Sequence, residues 1–224
     1  MLDPKSGERV MDCSSGTGTF LAMTAVHIFK QHLAATGTTP DEATNEQIVQ
    51  AQNETAAWAA SNALGCDIDP FLAVTSRMNL LLTTGNPGRV FRIDARTFPQ
   101  GDLDGVAAAR PALPLGSMDI VMLNPWFSTK AVVTDSSILE RYELGKVWSK
   151  DAAGEGYINT GDTSAGGVPP EVLFIERALE WVKPGSGRVA ILLPDGLLGN
   201  PAQESVRWWI LRHCEVLASI DLPV

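Results

Sequence analysis

Basic residues are scarce in this chain: 17 lysines and arginines stand against 26 aspartates and glutamates, a formal charge of −9 over 224 residues. A protein that grips nucleic acid by itself neutralises phosphates with clustered Lys and Arg. No basic stripe is present, so any grip on DNA or RNA must come mainly from elsewhere. Cysteine is sparse as well. Cys13, Cys66 and Cys214 lie far apart and are odd in number, which excludes a disulfide framework and fits a reducing cytoplasm. No Cys-x-x-Cys occurs, and His27, His32 and His213 lack metal-ligand spacing, so no zinc site is expected. No apolar run approaches the ~20 residues that span a bilayer. The first residues carry no charged segment followed by an apolar stretch, and a cytoplasmic protein without membrane contact is expected. A Gly-x-Ser-x-Gly elbow is also missing, which leaves an α/β-hydrolase reading without support.

What is there is an alternation of strands and helices. The pattern predicts strands at Glu8–Asp12, Leu64–Ile68, Arg89–Ile93, Met118–Leu123, Arg188–Leu193 and Glu215–Leu222. Helices are expected at Thr19–Ala35, from Pro70, over Pro170–Val182 and over Pro201–His213. An inserted helical segment occupies about 37–63, its helix running from Asp41, a plausible N-cap, to Ala63. Residues 94–116 and the glycine-rich stretch 128–169 read as loops, the second long enough to be functional or mobile. Such alternation means a doubly wound, mostly parallel α/β sheet in one domain.

The turn after the first strand, Asp12-Cys13-Ser14-Ser15-Gly16-Thr17-Gly18, lets a ligand approach backbone N–H groups and a helix start. Three ligands compete for it. A P-loop needs Gly-Lys-Ser/Thr, yet no lysine lies between Ser6 and Lys30. A dinucleotide fingerprint wants a small residue where Leu21 stands. S-adenosylmethionine has no pyrophosphate and tolerates Leu there, and Asp12 at the strand end can meet its cationic amino-acid moiety. A tight βα turn without ligand is the plainer alternative. Asp67, ending the second strand, can accept both hydroxyls of a ribose; its distance from Gly18 far exceeds the usual ~20 residues, a difference the inserted helix absorbs. Asp94, after the third strand, can accept from an adenine amine or serve as a cap or turn residue.

The fourth strand ends in Asn124-Pro125-Trp126-Phe127. With Asp12-x-x-x-Gly16-x-Gly18-x-Phe20-Leu21, Gly65-Cys66-Asp67-Ile68-Asp69-Pro70, Leu173-Phe174-Ile175-Glu176-Arg177-Ala178-Leu179 and Leu192-Leu193-Pro194-Asp195-Gly196-Leu197-Leu198, it spreads over most of the chain. The combination resembles the adenine-specific, amino-group DNA methyltransferases, especially the modification subunits of type I restriction systems. That resemblance implies a Rossmann-like S-adenosylmethionine-dependent methyltransferase core. It implies cofactor binding through Asp12, Ser14, Gly16, Gly18, Phe20, Asp67, Ile68, Asp94, Ala95 and Asn124, and catalysis by Asn124, Pro125, Trp126 and Phe127.

The tetrad also has a physical rationale. The lone pair of an exocyclic adenine amine is delocalised into the ring. Acceptors at the Asn124 side chain and the Pro125 carbonyl can bind both amine hydrogens, favour a pyramidal nitrogen and free the lone pair for attack on a sulfonium methyl. Well-aimed groups of this kind contribute roughly 3–4 kcal/mol each. Phe127 would stack on a base flipped out of double-stranded DNA. Trp126 departs from the pattern: the family has a second proline there.

Relatives carry a segment before the first strand that helps hold the cofactor, a last strand after the sixth, and a target-recognition domain. All three are expected to be missing here, and a specificity subunit or missing recognition domain is the expected partner, as in a restriction-modification or related defence system. Other acceptors for the same chemistry are a protein glutamine amide or an RNA base. A non-catalytic module binding cofactor or partner is the reading from another class. Asp195 and Asn200 can line the site or serve the loop alone; Trp208 and Trp209 suit core or interface.

Overall fold

The structure is a computed structural model and describes residues 2–127 and 132–222. In chain order it contains β1 (Val10–Asp12), α1 (Thr19–Ala35), α2 (Asn45–Asn62), β2 (Ala63–Asp67) and α3 (Pro70–Thr84). There follow β3 (Arg89–Arg92), α4 (Val106–Ala112), β4 (Ile120–Leu123), α5 (Ser136–Leu139), β5 (Lys146–Lys150) and β6 (Tyr157–Thr163). The chain continues through α6 (Pro170–Trp181), β7 (Arg188–Ile191), α7 (Asp195–Gly199), a 3-10 turn at Pro201–Gln203 and α8 (Glu204–His213). They form two compact units, Met1–Trp126 with Phe174–Leu192, and Phe127–Leu173 with Leu193–Val224.

The first unit holds a five-stranded sheet in the order β3-β2-β1-β4-β7, with every pairing parallel. Side chains alternate between its faces, as strand geometry requires. Val10, Ala63 and Ile120, aligned across β2, β1 and β4, pack with Leu21, Ala25 and Ile28 of α1, Trp58 of α2 and Leu80 of α3. Their neighbours Met11, Leu64 and Val121 point to the opposite face, where Ala109 of α4 and Ala178 and Trp181 of α6 cover them. Both faces are buried under helices, which is why β1 and β4 are continuously apolar up to their ends. The sheet is doubly wound and parallel, as the sequence predicts. Trp181 satisfies its buried indole N–H on the Leu113 carbonyl at 3.2 Å. At the amino edge Glu8 pairs with Arg188 at 2.7 Å, across an early and a late segment of the chain. No helix among the described residues is long and apolar enough to cross a membrane.

In the second unit β5 and β6 form an antiparallel hairpin. Trp208 of α8 lies against Trp148, ring centroids 5.8 Å apart, and against Tyr157 at 6.1 Å. The Tyr157 hydroxyl donates to Glu204 at 2.7 Å, and the buried Trp209 donates to Glu143 at 2.6 Å.

Several sequence expectations change. Helix α2 begins at Asn45, because Thr44 and Gln47 make a reciprocal capping box there; Asp41 sits in a turn before it. Within 94–116 the chain forms α4, whose Pro111 had masked a helix. The stretch 128–169 is not one loop. Residues 128–131 lie outside the described ones, but α5 and the β5–β6 hairpin follow. Residues 215–222 form no strand: their backbone N–H groups find no ladder partner, and an extended segment becomes a strand only by pairing.

Candidate active site

In a parallel sheet all strands end on one edge, and the order β3-β2-β1-β4 sets Asp94, Asp67, Asp12 and Asn124 along that edge in turn. From β1 the chain winds outward through β2 and β3 on one side, while β4 and β7 lie on the other. The crevice at such a switch point is where open α/β sheets receive ligands.

Asp12 ends β1 and is buried. One carboxylate oxygen accepts from the Ser14 N–H at 3.1 Å. Burial pushes its pKa up to about 7, helped by the charge of Asp67 and opposed by the Ser14 N–H. The turn then needs two glycines in the left-handed region, Gly16 at φ 50° and Gly18 at φ 80°. Gly18 has a second constraint: a Cβ there would lie 2.5 Å from the Ser76 hydroxyl and 2.9 Å from its Cα. The start of α1 therefore approaches α3 as closely as backbone allows. The Ser15 N–H reaches the Cys66 carbonyl at 2.9 Å, tying the turn to β2.

Asp67 closes the turn from the β2 side. One oxygen accepts from the Gly16 N–H and the other from the Asp69 N–H, both at 2.9 Å. Its remaining lone pairs are available to a diol. Asp69 is a helix cap, accepting from Phe71 and Leu72 N–H at 2.8 and 3.0 Å. Beside Asp67 the apolar side chain of Ile68 is half exposed, a surface that suits the face of a planar base. Phe20 is partly exposed at the first turn of α1, and Ala95 is buried beside Asp94.

Asp94 is more committed than its sequence position suggests. One oxygen accepts from Arg96 N and Nε at 2.9 Å each, and the other from Nη2 at 2.8 Å. The turn role and a fixed guanidinium partner are both realised, so an incoming amine would share the acceptor with Arg96. That arginine, two residues on, is the functional neighbour a reading of isolated carboxylates misses.

Three hydroxyls around the turn, Ser14, Ser15 and Ser76 Oγ, are buried and find no partner among the described residues. Leaving a buried hydroxyl unpaired costs about 1–3 kcal/mol, and three around one turn call for an explanation, which a bound ligand would supply. Orphaned hydroxyls, a buried carboxylate and a second carboxylate at the next strand end fit a ligand carrying an ammonium group and a ribose diol. Ser76 was invisible in the sequence, since only the packing of α3 on Gly18 brings it here.

After β4, Pro125 is buried while Asn124 is exposed and Trp126 is 70% exposed. Phe127 opens the second unit and is partly exposed. Also in that unit, Asp195 begins α7 and the Asn200 side chain accepts from the Ala202 N–H at 2.9 Å, a turn role. Trp209 is core, and Trp208 belongs to the aromatic group of the hairpin. His32 pairs with Glu54 at 2.9 Å and His27 with Asp3 at 3.0 Å.

The sequence profile described as N-6 DNA methylase matches residues 1–224. Among solved structures, the chain is similar to a type I restriction enzyme modification subunit from Vibrio vulnificus YJ016, at 20% identity and TM-score 0.55, covering 92% of this chain and 34% of that one. It is also similar to the ATP-dependent type ISP restriction-modification enzyme LlaBIII bound to DNA, at 14% identity and TM-score 0.61, covering 89% of this chain and 14% of that one. The chain thus spans about a third or less of these structures' lengths. Among curated proteins, none matches.

Proposed function

The chain belongs to the N-6 DNA methylase family, and we propose that its carboxyl-edge site transfers a methyl group from S-adenosylmethionine to the exocyclic amine of adenine in double-stranded DNA. The observation that carries this reading is the order Asp94, Asp67, Asp12, Asn124 along one sheet edge, with unpaired buried hydroxyls at the turn.

When bound, S-adenosylmethionine supplies an electrophilic methyl on a sulfonium. Asp12 and Ser14 hold the amino-acid end, and Gly16 and Gly18 leave the backbone open to it. Asp67 would accept from the ribose hydroxyls, and Ile68, Asp94, Ala95 and Phe20 would hold the adenine end. Asn124 and the Pro125 carbonyl orient the acceptor amine. The two bonds hold its hydrogens away from the line of attack, so no base has to remove a proton beforehand. Phe127 stacks on the flipped adenine, and Trp126 adds an aromatic wall where the family has proline.

A charge of −9 means that the chain needs another source of cations to hold a duplex. We assign that task to a specificity subunit or a recognition region, in a restriction-modification setting within the cytoplasm. The test is methyl transfer from radiolabelled S-adenosylmethionine to unmethylated duplex DNA, followed by nucleoside analysis. Label is expected in N6-methyladenine. Label in cytosine, RNA or a protein glutamine instead would overturn the acceptor.

A further inference from the structure

Helix α3 is buried on one face and exposes an apolar stripe on the other. Ala73, Ser76, Leu80 and Thr84 are buried against the rest of the first unit, at the spacing of one helical stripe. On the other side Phe71, Val74, Met78, Leu81 and Leu82 form a second stripe, and it is uncovered: Phe71 is 75% exposed and Leu82 82%. From Phe71 to Leu82 it runs about 16 Å, three helical turns. A surface helix ordinarily turns its polar side to solvent, and a contiguous exposed apolar patch of this kind marks an interaction site.

Charge narrows the occupant. In a chain of −9, residues 70–93 contain no carboxylate at all, only Arg77, Arg89 and Arg92. Arg92 pairs with Asp104 at 3.5 Å. Arg77 is exposed beside Val74, Met78 and Leu81, and forms no ion pair among the described residues. A second copy is a poor fit. A two-fold axis through the middle of the stripe would set Arg77 near its own mate, and like charges across an interface disfavour the pairing.

We propose that the outer face of α3 docks an amphipathic helix of a partner chain, one whose apolar stripe is flanked by carboxylates that meet Arg77. The mode is helix against helix, read through anchors at i, i+3, i+4 and i+7 on the partner. The inference stands apart from the methyl-transfer reading, because Met78 and Leu82 belong to no part of that site.

Two stapled helical peptides, each about four turns long, test it on the intact chain. Both carry leucines at the anchor spacing; one is flanked by glutamates and the other by lysines. Fluorescence anisotropy should show the glutamate peptide binding roughly tenfold or more tightly than the lysine peptide. Met78→Glu and Leu82→Glu, each at an exposed position, should abolish that binding and leave S-adenosylmethionine affinity unchanged. Arg77→Glu should reverse the preference. Equal binding of both peptides, or binding indifferent to Leu82→Glu, would overturn the proposal. Self-association in sedimentation velocity that Met78→Glu removes would also overturn it, by making a second copy the occupant.

Discussion

The two halves of the candidate site are built in different ways. On the β1–β2–β3 side each carboxylate is held by its neighbours: Ser14 N–H on Asp12, Gly16 and Asp69 N–H on Asp67, Arg96 on Asp94. Gly18 is packed onto Ser76 with no room for a side chain. After β4, Pro125 is buried while Asn124, Trp126 and Phe127 are exposed. The first half is preorganised by the fold and is part of the fold; the second is displayed by it. Substitutions in the first should disturb stability and cofactor together, and substitutions in the second should disturb chemistry alone.

The largest separation is expected at Asn124. Asn124→Ala should lower kcat for methyl transfer by about 10²–10³-fold or more, the usual loss for a well-aimed electrostatic group. Its urea midpoint should match the parent, since an exposed side chain is being shortened. A single-turnover assay beside a denaturation curve measures both.

Gly18→Ala is the counterpart in the other half. The left-handed φ and the contact with Ser76 together should cost about 3 kcal/mol, read as a lower urea midpoint. A midpoint equal to that of the parent would show that α1 and α3 do not approach as closely as described.

Asp12 should make stability depend on pH in a direction unusual for an aspartate. Its folded pKa of about 7 lies above the ordinary 3.8, so between these values the native state keeps a proton that the unfolded chain has lost. The contribution of Asp12 to stability is therefore fully present below about pH 4 and is lost as pH rises through about 7. Asp12→Asn should flatten that slope in urea titrations. Cofactor affinity should move the opposite way, rising through the same range, because an ammonium group prefers the ionised carboxylate.

The smallest effect is expected at Phe127. Phe127→Ala should weaken acceptor binding by roughly 1–3 kcal/mol, the worth of one stacked base, seen as a raised KM for DNA with the cofactor Kd unchanged.

Much of the preorganised half was legible in the sequence, because glycines and carboxylates at strand ends have few other uses there. The bounds of α1, Thr19–Ala35, agree with the helical pattern, and Pro70 opens α3 under Asp69 as its position implies. Long-range packing was not legible. Nothing in the sequence places Ser76 against Gly18, and the partner of Asp94 emerges only when the turn folds Arg96 back onto it. The β5–β6 hairpin escaped for a different reason: β6 is exposed along most of its length, so no apolar alternation marks it. Residues 215–222 show the opposite error, strand-like composition without a strand to pair with. At α2 the sequence reading favours Asp41 as the cap and misses Thr44, whose pairing with Gln47 at the third helical position starts the helix at Asn45.

The separability of the two halves is tested most directly by calorimetric titration of S-adenosylmethionine into Asp67→Ala and Asn124→Ala. Asp67 accepts from backbone and, in this account, from the ribose; its loss should cost about 1.5–3 kcal/mol of binding, a weakening of about tenfold or more. Asn124→Ala should bind nearly like the parent, because in the proposed reading its side chain is aimed at the acceptor amine. Unchanged affinity in Asp67→Ala, or an equal loss in both variants, would contradict the division between a half that holds the cofactor and a half that performs the transfer.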